Sequence, residues 1–210
     1  MKSGPRIGIL NLEMGNLRSV WNAVYSLGYD PCFVEGVPDL DGLTHLIVPG
    51  VGAFHTAVNR LRERCLAGGV CDFSASGRPL LGLCLGMQLL SSSGDEGGGA
   101  DGLGLIPGCV ERLDDAVVPT VPHVGWNSVD IVRDHPVLAG VKSGVDFYFV
   151  HSFRLVPDDT HHIVATTTYG ERFASVIRRD NVVGFQFHPE KSQANGLKLL
   201  ANFCEWDGMC

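Results

Sequence analysis

The stretch that most constrains this chain is Pro79–Leu90 (PLLGLCLGMQLL), where an apolar strand pattern runs into a helix with no polar loop between them. Pro79 to Leu83 reads as a strand, Cys84-Leu85-Gly86 as the turn, and a helix begins near Met87. Gly82-Leu83-Cys84-Leu85-Gly86 thus has the form G-x-C-x-G, the cysteine counterpart of the serine nucleophile elbow. Such a turn takes glycines because it is strained and backbones pass close on both sides. It lifts the central side chain clear of the sheet at the strand's C-terminal end. A helix N-terminus beside the thiol favours the thiolate, and the N–H of Leu85 is free to stabilise an oxyanion. A cysteine in an apolar run also serves as a small buried hydrophobe. The pentapeptide leaves both readings open; the catalytic one requires a base and a group to orient it.

The elbow sits within an alternation of strands and helices. Arg6–Leu10 is a short apolar run of the kind buried on both faces. Leu17, Val20, Trp21, Val24 and Leu27 recur at helical spacing, and Gly28 closes that helix. Strands are expected at Pro31–Val34 and Thr44–Val48, then a tight loop Pro49-Gly50-Val51-Gly52, then a helix through Ala57, Val58, Leu61 and Cys65. This order predicts an α/β fold with a central, mostly parallel sheet flanked by helices. Gly94–Gly104 reads as a surface loop; no Lys-Ser/Thr follows it, as a phosphate cradle would need. The C-terminal half adds a β-rich portion: Val145–Phe153, Ile163–Tyr169, Ala174–Ile177 and Val182–Phe187, with Arg178–Asn181 as a hairpin turn. A last helix spans Gln193–Glu205, with Leu197, Leu200, Ala201 and Cys204 facing inward. No linker or repeat divides the chain, so residues 1–210 are expected to form one domain.

Composition excludes several functions. The 210 residues carry a net charge of −7, against the clustered cations of nucleic-acid binding. The local cluster Arg60, Arg62 and Arg64, interleaved with Glu63, reads as a solvated helix face. Cysteines stand at 32, 65, 71, 84, 109, 204 and 210 with no C-x-x-C pair, which suits neither a zinc site nor a secreted disulfide framework. Met1-Lys2-Ser3-Gly4-Pro5 leads into an apolar stretch broken by Asn11 and Glu13, without a signal-peptide core, and no run approaches membrane-spanning length. A cytoplasmic protein with reduced thiols, no metal and no cofactor is expected.

Of eight histidines, His188 stands apart because it ends an apolar strand and precedes Pro189 and Glu190. Residues two apart in an extended segment point the same way, so His188 and Glu190 can lie together with Pro189 fixing the backbone between them. They would be the base and its orienting group. His161-His162, after Asp158-Asp159, invites a metal reading, but four polar residues ahead of a strand more often make a loop. A second oxyanion donor should come from another loop at the same sheet edge, and Pro49-Gly50-Val51-Gly52 is suitably placed.

These segments together resemble the class I glutamine amidotransferases, and most closely the glutaminase subunits of imidazole glycerol phosphate synthase. The resemblance runs through Met14–Leu17, Pro49–Phe54, Gly82–Leu90, Gly102–Gly108, Pro122–Asn127, Tyr148–Ser152 and Gln186–Ser192. It implies a triad of Cys84, His188 and Glu190, with oxyanion donors at Leu85 and the Val51–Gly52 segment. Gly52, Gln88, Glu96, Ser152 and Phe153 would line a glutamine pocket, Glu96 meeting the substrate's ammonium. It implies as partner a (β/α)8-barrel cyclase that forms a heterodimer with the chain and receives the ammonia. Asn16, Trp126, Tyr148 and Lys191 match positions of that interface. Partner binding would complete the oxyanion hole by reorienting the Val51–Gly52 peptide.

Two departures stand out. The first strand ends in Asn11-Leu12-Glu13 where the family commonly has an Asp-Tyr-Gly type sequence, and Ser152 is followed by Phe153 where tyrosine is common. The first lies near the expected partner surface. It leaves open a partner other than the cyclase, such as a sugar-aminating synthase of surface-polysaccharide synthesis fed by the same glutaminase chemistry.

Overall fold

The computed structural model describes residues 4–209; Met1–Ser3 and Cys210 lie outside them. In chain order the elements are β1 (Ile7–Leu10), α1 (Leu17–Ser26), β2 (Cys32–Val34), β3 (His45–Gly50), α2 (Phe54–Glu63), α3 (Leu66–Ala75), β4 (Leu80–Cys84) and α4 (Leu85–Leu89). There follow β5 (Ser93–Gly94), β6 (Ala100–Asp101), β7 (Gly108–Arg112), β8 (His123–Ile131), β9 (Val145–His151), β10 (Phe153–Pro157), β11 (Ile163–Tyr169), β12 (Glu171–Arg179), β13 (Val182–Phe185) and α5 (Gln193–Glu205).

A nine-stranded sheet has the order β2-β1-β3-β4-β13-β12-β11-β8-β9. Pairing is parallel from β2 through β13 and antiparallel from β13 to β9. The parallel part is the α/β core the sequence alternation calls for, and the antiparallel part is the β-rich C-terminal half. β4 sends Leu81 and Leu83 toward α1 and α5, while Leu80 joins the opposite cluster with Val58 and Leu61 of α2 and Val70 and Phe73 of α3. Each large apolar side chain buried this way stabilises the fold by about 1.5–3 kcal/mol, which explains why the strands show no polar alternation. A second sheet, β10-β7-β5-β6, packs on the α2 side.

Several local expectations are corrected. Pro49-Gly50 is not loop but the end of β3, paired in parallel with Leu83 and Cys84; the loop begins at Val51. The helix expected to run through Cys65 is two helices. Cys65 is exposed and left-handed at φ 54°, and α3 follows it, burying Leu66, Val70 and Phe73. Gly68-Gly69, poor helix formers, mask α3 in the sequence. Gly94–Gly104 is not simply loop, because β5 and β6 pair within it. Val145–Phe153 is not one strand: it divides at Ser152, with β9 in the large sheet and β10 in the small one. The inward face of α5 is Gly196, Leu199, Leu200, Phe203 and Cys204, with Leu197 and Ala201 only half-buried beside it. The arginine cluster is less free than a solvated face. Arg60 donates to the Leu12 carbonyl and Arg64 to those of Asn11 and Glu35, pinning the segments that follow β1 and β2.

The topology gathers one edge. Gly50 at the end of β3 pairs with Cys84 at the end of β4, and Phe185 at the end of β13 pairs with Leu83. Val51, Leu85 and Gln186–His188 therefore emerge side by side at the carboxyl ends of parallel strands, where open α/β sheets bind ligands.

Candidate active site

Cys84 has φ 52° and ψ −108°, outside the regions where side-chain-bearing residues rest. Strain of this kind costs about 1–3 kcal/mol and is held by its surroundings. Here the two elbow glycines hold it. A Cβ on Gly86 would lie 1.7 Å from the Val48 carbonyl oxygen, and one on Gly82 would lie 2.6 Å from the Gly86 carbonyl oxygen. α4 starts directly at Leu85 rather than near Met87 and ends at Leu89. So short a helix has a weak dipole, and the local N–H groups of its first turn matter more to the thiol.

His188 and Glu190 meet as expected, although by different geometry. His188 is extended, but Pro189–Lys191 is a turn of 3-10 helix that folds Glu190 back onto the ring. Nδ1 of His188 lies 2.8 Å from Oε1 of Glu190, with both side chains almost wholly buried. The His188 N–H donates to the Tyr148 carbonyl (2.9 Å), and Ser192 Oγ donates to the His188 carbonyl (2.6 Å). Asn16 Nδ2 donates to the same Glu190 oxygen, so Asn16, expected at a partner surface, also holds the carboxylate that meets His188. Nε2 of His188 is sealed from solvent and makes no conventional hydrogen bond, although Cys84 is close enough to raise the imidazole pKa. Burial pushes the imidazole pKa down, but Cys84 and Glu190 together outweigh it and raise it to about 10. The thiol lies 3.7 Å from the Val150 carbonyl oxygen and 3.8 Å from Gln186 Nε2.

Cys84 opens into a cavity of about 570 Å³. Its walls bring together Val51, Gly52 and Leu85, expected to supply oxyanion donors, and Gln88, Glu96, Ser152 and Phe153, expected to bind substrate. Glu96 Oε2 also accepts from the Phe54 N–H (2.6 Å), so this carboxylate caps α2 just after the Val51–Gly52 loop. Lys191 is on the cavity wall too, its Nζ 5.7 Å from the Tyr148 ring, and Trp126 meets Tyr148 edge-on at 6.0 Å. Trp126 and its neighbour Val124 are about half exposed, which makes an apolar patch beside the cavity mouth. Three of the four expected interface residues thus share one surface.

Gln186, His123 and His151 lie within the segments that carry the resemblance but have no role expected from it. Gln186 is a wholly buried polar residue between Phe185 and Phe187, and that interruption of an apolar run is the signal that marks it. His151 lines the cavity and contacts His123, Nε2 to Nδ1 at 3.0 Å. Burial holds both neutral, at about 3 for His151 and about 4 for His123. His161 is exposed and pairs with Asp159 at 2.8 Å. Among the described residues no cluster of three His, Cys, Asp or Glu side chains could hold a metal, and no helix is long and apolar enough to cross a membrane.

Comparison with known proteins gives the family and the fold. Residues 27–206 match the family model described as glutamine amidotransferase class-I. The chain is 44% identical to imidazole glycerol phosphate synthase subunit HisH of Salinibacter ruber, covering 93% of this chain and 92% of the relative. It is 44% identical to HisH of Moorella thermoacetica, covering 95% and 94%, and 41% identical to HisH 2 of Nitrobacter winogradskyi, covering 96% and 99%. The solved structure of PurLQS from Thermotoga maritima has the same fold, with a TM-score of 0.78 at 18% identity over 97% of this chain and 99% of that one. A strained cysteine elbow beside a buried His-Glu pair, carried on this sheet and matched over nearly the whole chain, identifies it as a member of the class-I glutamine amidotransferase family, among the HisH subunits of imidazole glycerol phosphate synthase.

Proposed function

We propose that this chain, as a single domain over residues 1–210, hydrolyses glutamine and passes the ammonia to a (β/α)8-barrel cyclase subunit. The observation that carries the reading is the strained Cys84 elbow, which lines a cavity and stands beside the buried His188–Glu190 pair. Cys84 gives its thiol proton to His188 and its sulfur attacks the side-chain amide carbon of glutamine, and the carbonyl oxygen becomes an oxyanion within reach of the Leu85 N–H and the Val51–Gly52 loop. The C–N bond breaks as His188 delivers its proton to the nitrogen, releasing ammonia and leaving a γ-glutamyl thioester. His188, now neutral, takes a proton from water; the new C–O bond forms, the C–S bond breaks, and glutamate leaves. Glu190 keeps the imidazole oriented and favours its charged form. No cofactor takes part.

The names of the relatives favour histidine biosynthesis, with the cyclase making imidazole glycerol phosphate and an aminoimidazole-carboxamide ribonucleotide from the delivered ammonia. Trp126, Tyr148 and Lys191 would face that subunit, and docking there would turn the Val51–Gly52 peptide into its donating orientation. A cytoplasmic location accords with free thiols at Cys32 and Cys65. The test is a glutaminase assay with and without the cyclase and its nucleotide ligand. Activation by the cyclase supports the reading. Full activity of the isolated chain refutes partner-completed catalysis, and activation by a sugar-aminating synthase alone would reassign the partner.

A further inference from the structure

Behind the wall of the glutamine cavity lies a chain of buried hydrogen bonds that the reaction above does not use. His151 Nδ1 is 2.8 Å from the Phe153 carbonyl oxygen. A carbonyl oxygen only accepts, so Nδ1 carries the proton and Nε2 must accept. His123 Nδ1 lies 3.0 Å from that Nε2 and is therefore the donor. His123 Nε2 is then the acceptor, and the Asn127 carboxamide nitrogen lies 3.3 Å from it. One carbonyl thus dictates both tautomers. The His123 ring is held in plane between Tyr169 and Phe149, at centroid distances of 3.9 and 4.9 Å.

The Phe153 carbonyl takes a second hydrogen bond, from Gln88 Nε2 at 2.9 Å, and the same nitrogen donates to Gln186 Oε1 at 3.2 Å. With both neighbours of Nε2 being acceptors, the Gln88 carboxamide has one favourable orientation. Among the described residues nothing donates to Gln88 Oε1, and Gln88 lines the cavity. The pocket therefore presents an acceptor at this wall, suited to an N–H of a bound substrate.

We propose that His151, backed by His123, is a positioning residue for substrate recognition: it fixes the Phe153 carbonyl and through it the orientation of the Gln88 carboxamide. The inference rests on the glutaminase reading and deepens it. Without the His151 donor, the carbonyl and the Gln88 amide lose their shared reference. A rotated carboxamide would present its amino group to the substrate's donors, a loss of recognition in a desolvated pocket.

The test compares His151→Leu with His151→Asn, whose side-chain nitrogen can stand where Nδ1 stood, in the complex with the cyclase. In His151→Leu the KM for glutamine rises about tenfold or more while kcat changes less, the pattern of lost ground-state binding. His151→Asn restores KM to within about threefold. Alkylation of Cys84 by iodoacetamide proceeds at the wild-type rate in both, because the triad is untouched. An unchanged KM in a folded His151→Leu protein overturns the proposal, as does His151→Asn being no better than leucine at equal thermal stability. Should His151→Leu not fold, His123→Leu carries the test: it removes the donor to His151 Nε2 and leaves Gln88 in place, so the KM for glutamine must rise severalfold with kcat changed less, and an unchanged KM in the folded variant overturns the proposal. Absence of glutamine turnover by the wild-type complex would refute the glutaminase reading instead.

Discussion

Two buried histidine pairs stand at one sheet edge, close enough for His151 to feel the charge of His188, yet they hold opposite protonation states. His188, on the Glu190 carboxylate and near Cys84, is raised to about 10. His151, between a backbone carbonyl and another imidazole, is lowered to about 3. Burial alone pushes both the same way. What separates them is what faces the ring: Cys84 first and the Glu190 carboxylate second favour the charged form of His188, whereas His151 meets a backbone carbonyl and a neutral imidazole. A charged imidazole can deliver a proton to departing ammonia; a neutral one can be a fixed donor and acceptor in a wall.

The comparison breaks most severely at the thiol. Cys84→Ala should lower glutamine hydrolysis by about a thousandfold or more while leaving assembly with the cyclase intact, as measured by co-elution. Surviving activity would remove the mechanism altogether. Glu190→Gln replaces the anion with a neutral partner and so turns the first pair toward the second. It should cost about 10²–10⁴-fold in kcat, in the range of triad orienting groups, and the His188 resonances should titrate at lower pH in an NMR series.

Stability against pH sharpens the contrast with a definite sign. For His123 and His151 the folded values, about 4 and about 3, lie below the ordinary 6.5. An unfolded chain therefore takes up protons below pH 6.5 that the folded chain refuses. Stability falls as pH drops through that window, with a slope of up to about 1.4 kcal/mol per pH unit for each such group. His188 runs the other way: its contribution is fully present below 6.5 and is lost as pH rises through about 10. Urea midpoints measured from pH 4 to 10 should decline toward both ends, and Glu190→Gln should make the alkaline limb shallower without touching the acid limb, since Cys84 still raises His188. A flat acid limb would mean that the His123–His151 pair is not held neutral.

The smallest effect belongs to Asn16→Ala. It removes one donor from Glu190, leaves His188 in place, and should cost roughly 1–2 kcal/mol of transition-state stabilisation, read as about a tenfold loss of kcat/KM. A loss that appears only in the complex would assign Asn16 to partner coupling instead.

Legibility in the sequence followed range. The elbow could be read because Gly82, Cys84 and Gly86 are local, and each glycine answers a clash within a few residues' reach of the turn or with β3 behind it. His-Pro-Glu could be read because Glu190 folds back within one turn, although the turn is 3-10 and not extended. The antiparallel half of the sheet was visible as β-rich runs, but not that Val145–Phe153 changes sheets at Ser152. That break sets Ser152 and Phe153 against the cavity, and it depends on pairing with β7, far away in the chain. α3 is hidden in the sequence because its glycines weaken the helical pattern, and the Val37 and Leu40 side chains, 3.0–3.4 Å from where a Gly69 Cβ would stand, leave little room there.

The sequence by itself determined the chemical parts: a thiol on a strand-to-helix turn, an imidazole with a carboxylate two residues on, and strands apolar enough to be covered on both faces. Only the tertiary structure decided which histidine carries charge, which way the Gln88 carboxamide points, and that Asn16 reaches Glu190 across 174 residues of chain. The physical reason is that covalent neighbours set backbone conformation, whereas protonation and amide orientation follow from the acceptors and donors within hydrogen-bond distance in a water-excluded space. In this protein those neighbours are brought together by the order of strands in the sheet.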